Sequence, residues 1–145
     1  MHKLCLLLAS SVLLSACATS YQSDGITGGY YEIPGPGQLD KVAFSGNGLI
    51  KPSSVQNYAL YRAAELAKSK NKPYFIIYRT LVDAARNNPG NLPLVGWMQG
   101  KPVAYSFVLY LDESRPGAFT TATVLADMAK VVGGTPAADG QGVMK

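Results

Sequence analysis

The sequence predicts an α+β domain, a two-layer α/β sandwich in the order strand, helix, strand, strand, helix around a small mixed sheet. Alternating or uniformly apolar runs at Lys41–Ser45, Pro73–Thr80 and Lys101–Leu111 read as strands. Longer runs at Ser53–Asn71 and Thr121–Val132 carry apolar residues at helical spacing. Glycine and proline punctuate the joins between them.

Taken in order, KVAFS (Lys41–Ser45) sets Val42 and Phe44 on one face of a short strand. GNG at Gly46–Gly48 ends it, and a turn there with positive φ at Asn47 or a glycine is expected. Backbone amides of SGNG cradling an anion is the competing reading, but four residues separate that loop from the next helix. Pro52 and Ser53 open the helix, and Ser53 with Gln56 has the composition of a capping box. Val55, Ala59, Ala63, Leu66 and Ala67 then fall on one side, and the alanines permit close approach to a sheet. Lys68 and Lys70 suit the negative end of the helix dipole.

Pro73–Thr80, PYFIIYRT, is apolar on both faces, the pattern of a central strand. If the strands around the first helix are parallel, their crossover should be right-handed. Lys101–Leu111 sets Val103, Tyr105, Phe107 and Leu109 against Ala104, Ser106, Val108 and Tyr110. Leu81–Gly100, with its prolines and the chain's one tryptophan, reads as irregular. The last helix puts Val124, Leu125, Met128, Val131 and Val132 on one stripe and stops at Gly133.

The N-terminus, MHKLCLLLASSVLLSAC, has a positive start at Lys3, an apolar run Leu4–Leu14 and small residues Ser15 and Ala16 before Cys17. That is the plan of a secretory signal. The run is too short to span a bilayer, which takes about 20 apolar residues. The LSAC ending resembles the lipobox of bacterial lipoproteins. The resemblance implies that residues 1–16 are a cleaved signal peptide and that Cys17 is the lipidated first residue of the mature chain, holding palmitate-like acyl chains. Several such chains anchor stably where one does not. In the lipobox pattern, Ala18 after the cysteine implies the outer membrane. Residues 17–28 then form the lipidated cysteine and a flexible tether, with a reach of roughly 20 Å. Residues 29–132 make the periplasmic α/β domain, and 133–145 a disordered tail without periodicity.

Cleavage would also remove His2 and Cys5, the one histidine and the one other cysteine. Without imidazole or free thiol, Ser-His-Asp hydrolases, cysteine proteases, thiol redox enzymes and His/Cys zinc sites are excluded. No cofactor and no metal are therefore expected. A net charge of +4, with charged residues at 15% of the chain, lacks the clustered basic face of a nucleic-acid binder.

GGYYEI (Gly28–Ile33), VAFSGNG (Val42–Gly48), NYALYRAAELA (Asn57–Ala67) and PYFII (Pro73–Ile77) resemble a family of small, uncharacterised lipoproteins of Gram-negative bacteria. The Tyr-Arg-Ala-Ala-Glu-Leu run is the most specific piece, and the likeness is good over Gly28–Tyr78. Downstream, LVDAARNNPGNLPLVGWMQG departs from the charged strand usual in that family. The resemblance implies fold and address, and no activity.

Tyr61, Arg62 and Glu65 are candidate partner contacts, since a cation and a carboxylate three apart on a helix can grip a polar group. An ordinary surface pair of about 0.2–0.5 kcal/mol is the competing reading. Leu94, Trp97 and Met98 are candidates too, in an unusually apolar stretch: exposed together, they would meet a partner or lipid. Alternatively Trp97 folds back and caps the sheet, as tryptophan's average burial favours.

The expectation is a non-catalytic binding or envelope-structural module on the periplasmic face of the outer membrane. Its partners would be the membrane, through the anchor, and an envelope protein or the cell wall. The alternatives are a carboxylate-dependent envelope hydrolase using Asp112 or Glu113 with Tyr105, and a small apolar-ligand carrier with a closed pocket between sheet and helices.

Overall fold

Nine elements follow one another in the computed structural model, which describes residues 18–133. They are β1 (Gly29–Pro34), β2 (Asp40–Ser45), α1 (Pro52–Ser69), β3 (Tyr74–Tyr78), α2 (Leu81–Ala85), β4 (Leu94–Met98), β5 (Lys101–Leu111), β6 (Phe119–Thr120) and α3 (Thr121–Gly133). The α+β sandwich is as expected, with α1 and α3 packed on each other and α1 lying across the sheet. The expected signal at residues 1–16, Cys17 and residues 134–145 lie outside the described residues.

β5 organises the sheet. One of its edges pairs with β2 through residues 103–108. The other is shared end to end, by β4 along 101–105 and by β3 along 107–111. The main path is β1-β2-β5-β3-β6, and every ladder between these strands is antiparallel. The sheet is therefore antiparallel where a mixed one was expected. β2 and β3 do run parallel, but β5 lies between them, so α1 connects strands that never pair.

Register assigns the two faces, because paired residues point the same way. Val42, Phe44, Phe75, Ile77, Ala104 and Val108 face the helices and are fully buried. Ala59, Ala63, Ala64 and Ala67 of α1, also fully buried, meet them. With methyl groups at the contact the helix lies low, and a larger side chain at Ala63 would push it off the sheet. Tyr58 and Leu60 are buried as well, beyond the expected stripe. In α3, Val124 is buried, Leu125, Met128 and Val132 pack beside the core, and Val131 turns outward.

On the opposite face, Ile76, Tyr78 and Leu111 are covered by Leu39, Ala84 of α2 and Ala118. Tyr31, Lys41, Tyr105, Phe107 and Leu109 on that face stay partly exposed. α2 borders Leu109, and no helix lies across the others among the described residues.

Local readings change in three places. The capping box does not form: Lys51 stands at the N-cap and its side chain does not cap the helix, because Pro52 at the first helical position draws Ser53 inside the turn. Gln56 donates instead to the Pro93 carbonyl at 2.9 Å. The Gly46–Gly48 turn uses no positive φ. Gly46 is required for room, since a Cβ there would lie 2.1 Å from Ile50. Third, Leu81–Gly100 is not irregular but contains α2, capped by Thr80 Oγ1 accepting from the Asp83 amide, and β4.

Candidate functional site

Residues 18–28, expected as a flexible tether, pack on the domain. Thr19 is buried; its hydroxyl donates to the Thr27 carbonyl at 2.6 Å and accepts from the Asn47 amide at 2.8 Å. Gln22 and Asp24 exchange backbone hydrogen bonds with Tyr30 at 2.8 and 3.0 Å. This close return needs glycine at the start of β1. Gly28 and Gly29 have φ of 94° and 151°, and a Cβ on either would meet a backbone oxygen within 2.4 Å.

The return brings Tyr21 into a ring cluster. Its centroid lies 4.9 Å from Tyr30, 5.2 Å from Tyr61, 5.6 Å from Tyr58 and 6.2 Å from Phe44. The Tyr21 hydroxyl donates to Glu65. Burial, then this bond to a carboxylate, pushes the phenol well above its ordinary range, so it stays protonated. Arg62 donates to Glu65 at 3.0 Å and to Glu32 at 2.9 Å, with its guanidinium 4.1 Å over the Tyr30 ring. Burial alone would lower the Arg62 pKa, but the bonds to Glu32 and Glu65 outweigh it and raise it. Arg62 and Glu65 thus pair as their spacing predicts, Tyr30 and Glu32 join them from β1, and Tyr61 meets the cluster through the Tyr21 ring.

The chemistry of this cluster is that of a clip. Arg62 lies between two carboxylates and an aromatic face, so its donors are turned to Glu32 of β1 and to Glu65 of α1, which in turn accepts from Tyr21 of the N-terminal segment. Period-two spacing of Tyr30 and Glu32 is the sequence signal that would have put both on α1's side of the sheet.

Leu94, Trp97 and Met98 lie on β4, away from the clip. Leu94 and Met98 pair with Tyr105 and Lys101 and share the uncovered face, while Trp97 pairs with Pro102 and points to the helix side. Trp97 is nevertheless 66% exposed, so it does not fold back over the sheet. The cause is its place one pair from the tip of a tight hairpin. Gln99 and Gly100, with φ of 53° and 74°, turn the chain directly into β5, beyond the reach of α1.

The residues of the hydrolase alternative do not meet. Asp112 is bound to Lys72 at 2.7 Å, and Glu113 is exposed. Tyr105 lies seven residues before Asp112 in the chain, roughly 20 Å back along β5. It sits on the uncovered face, with Lys41 Nζ 4.6 Å from its ring. Between sheet and α1 the space a closed carrier pocket would need is filled by the alanine packing. A surface hollow does lie between the C-terminal end of α1 and the start of α3, lined by Lys68, Lys72, Tyr74, Thr121 and Leu125. Among the described residues no three His, Cys, Asp or Glu side chains are grouped to hold a metal ion, and no helix is long and apolar enough to cross a membrane.

Compared with known proteins, the chain matches no family model, no curated protein and no solved structure.

Proposed function

We propose that this chain is a lipid-anchored protein of the Gram-negative envelope, an outer-membrane lipoprotein held through Cys17, whose domain works by binding another envelope protein or the cell wall. The lipobox-like LSAC and the lipoprotein resemblance over Gly28–Tyr78 support the address. The observation that supports binding is the uncovered sheet face. Tyr31, Tyr105, Phe107 and Leu109 are part-exposed there beside Leu94 and Met98. Aromatic and methionine side chains on a rigid sheet are the usual material of interface centres, and apolar area of this kind marks contact surfaces.

The test is photocrosslinking in living cells, with a photoreactive residue at Tyr105 or at Leu94, and at exposed Glu113 as the comparison. A discrete product from Tyr105 and Leu94, absent from Glu113 and retained when each carboxylate is replaced singly, is expected. Capture of lipid and solvent alone from the sheet face would refute the binding reading.

A further inference from the structure

The end of the sandwich where the chain enters the domain differs in chemistry from the opposite end. We propose that this end is a membrane-contact surface seated on a lipid bilayer; the proposal rests on the lipid-anchor reading and adds the orientation of the domain. Three loops and a helix end meet there. Thr19 is bonded both to Thr27 and to the Gly46–Ile50 loop through Asn47, and Leu49 donates back to the Asn47 side chain at 3.0 Å. Gly46 donates to the Pro102 carbonyl at 2.8 Å, next to the β4–β5 turn. Ile26, Met98 and Lys101 line one small hollow. α3 begins at the far end, where Thr121 bonds to Lys72 and Pro73, and finishes with Val132 in the cluster that holds Ala18 and Val95.

The side chains exposed around this point are Ile26, Leu49, Trp97, Met98 and Val131. Ile26 is fully exposed, Trp97 66% and Met98 56%, which solvent alone does not favour. Lys101 beside them has the stem-and-head form that reaches from an apolar contact to headgroups. Tryptophan with lysine is the side-chain pairing of a bilayer boundary. At the other end one large apolar side chain, Ile33, is half-exposed among charged groups: Lys70 and Lys72 pair with Asp40 and Asp112, and Glu113 and Arg115 are exposed.

Chain length then selects the occupant. Thr19 is fixed in the domain, and Cys17 precedes it by two residues, a span of at most about 7 Å. An acylated Cys17 cannot hold this domain a tether's length away. It draws the apolar end against the headgroups, and a bilayer covers Ile26, Leu49, Trp97 and Met98 where no other part of the chain does so among the described residues.

Trp97 is the chain's single tryptophan, so its emission reports this surface alone. The full-length protein, purified in detergent with its anchor, is reconstituted into vesicles of phosphatidylethanolamine and phosphatidylglycerol, with and without brominated acyl chains. Flotation reports anchoring separately from docking. The expected result is co-flotation, a blue-shifted emission and about twofold quenching by the brominated lipid. The double variant Ile26→Ser, Met98→Ser, at exposed positions the fold does not need, should float equally and lose about half of that quenching. Protein that fails to float overturns the anchor and this proposal with it. Protein that floats with solvent-like emission leaves the anchor standing and overturns the docking. A blue shift without bromine quenching assigns the surface to a protein partner or a second copy, and overturns it too.

Discussion

Replacing Tyr21 by alanine removes the ring that joins the N-terminal segment to the domain. Four rings lie within 6.2 Å of it, and its hydroxyl holds Glu65. Exposing roughly 100 Å² of apolar ring costs about 2.5 kcal/mol at ~25 cal/mol/Å². The hydroxyl's bond to a carboxylate adds about 0.5 kcal/mol once its part exposure is discounted. Because the segment lies at one end of the domain, it can detach without unfolding the sheet, so the cost of about 3 kcal/mol appears as local opening. Amide hydrogen exchange reads this directly. The amides of Asp24, Tyr30 and Asn47, which bond to Tyr30, Gln22 and Thr19, should exchange on the order of 100-fold faster in Tyr21→Ala. Amides in the middle of β5 should be unchanged. Tyr21→Phe, which keeps the ring, should accelerate the same three amides by roughly tenfold or less. Equal exchange at Tyr30 in wild type and Tyr21→Ala would refute the reasoning, and equally fast exchange in both would restore residues 18–28 as a free tether.

Arg62→Met leaves Glu32 and Glu65 facing each other without their shared cation, and should cost about 1–2 kcal/mol in urea unfolding at partly exposed positions. Arg62→Lys should recover less than half, since one ammonium cannot bridge both carboxylates; full recovery would contradict the two-carboxylate clip. Ser106 is fully buried with no partner for its hydroxyl among the described residues, so Ser106→Ala should stabilise by about 1 kcal/mol and raise Tm by about 3–5 °C. A lowered Tm would mean that the hydroxyl is bonded. The phenols of Tyr21 and Tyr110 are raised by burial, helped by Glu65 and by Asp40 respectively. Their contribution is complete below the ordinary phenol value of about 10 and is lost as the pH rises above it. Urea midpoints should therefore fall above that pH and fall less steeply in Tyr21→Phe, whereas a rise would reverse the sign.

The helical periods of α1 and α3 and the alternation of β5 were legible because burial of one face writes its period into the residues, and β3 was legible as an unbroken apolar run because both of its faces are buried. β4 was not, since Leu94–Met98 is short, holds Gly96 and follows Pro93. Its place depends on β3 stopping at Tyr78 and leaving the other half of β5's edge free, which is a fact of pairing and not of local pattern. Residues 18–28 have the composition of a linker, yet Thr19 and Tyr21 decide their fate through contacts with Asn47 and Glu65, far along the chain. Trp97 followed the average burial of tryptophan in one reading, and a two-residue turn overrode that average. The Arg62–Glu65 pair was visible from helical spacing, but Glu32 and Tyr30 reach it across the sheet–helix junction.

The proposed lipid anchor at Cys17 would determine where the domain works and which end of it meets the membrane. The intact mass of the membrane-extracted protein, with its N-terminal peptide, tests it most directly. A chain beginning at Cys17 and carrying acyl mass is predicted. A chain that still begins at Met1, with an unmodified Cys17, would contradict the anchored envelope protein and the bilayer-seated end together.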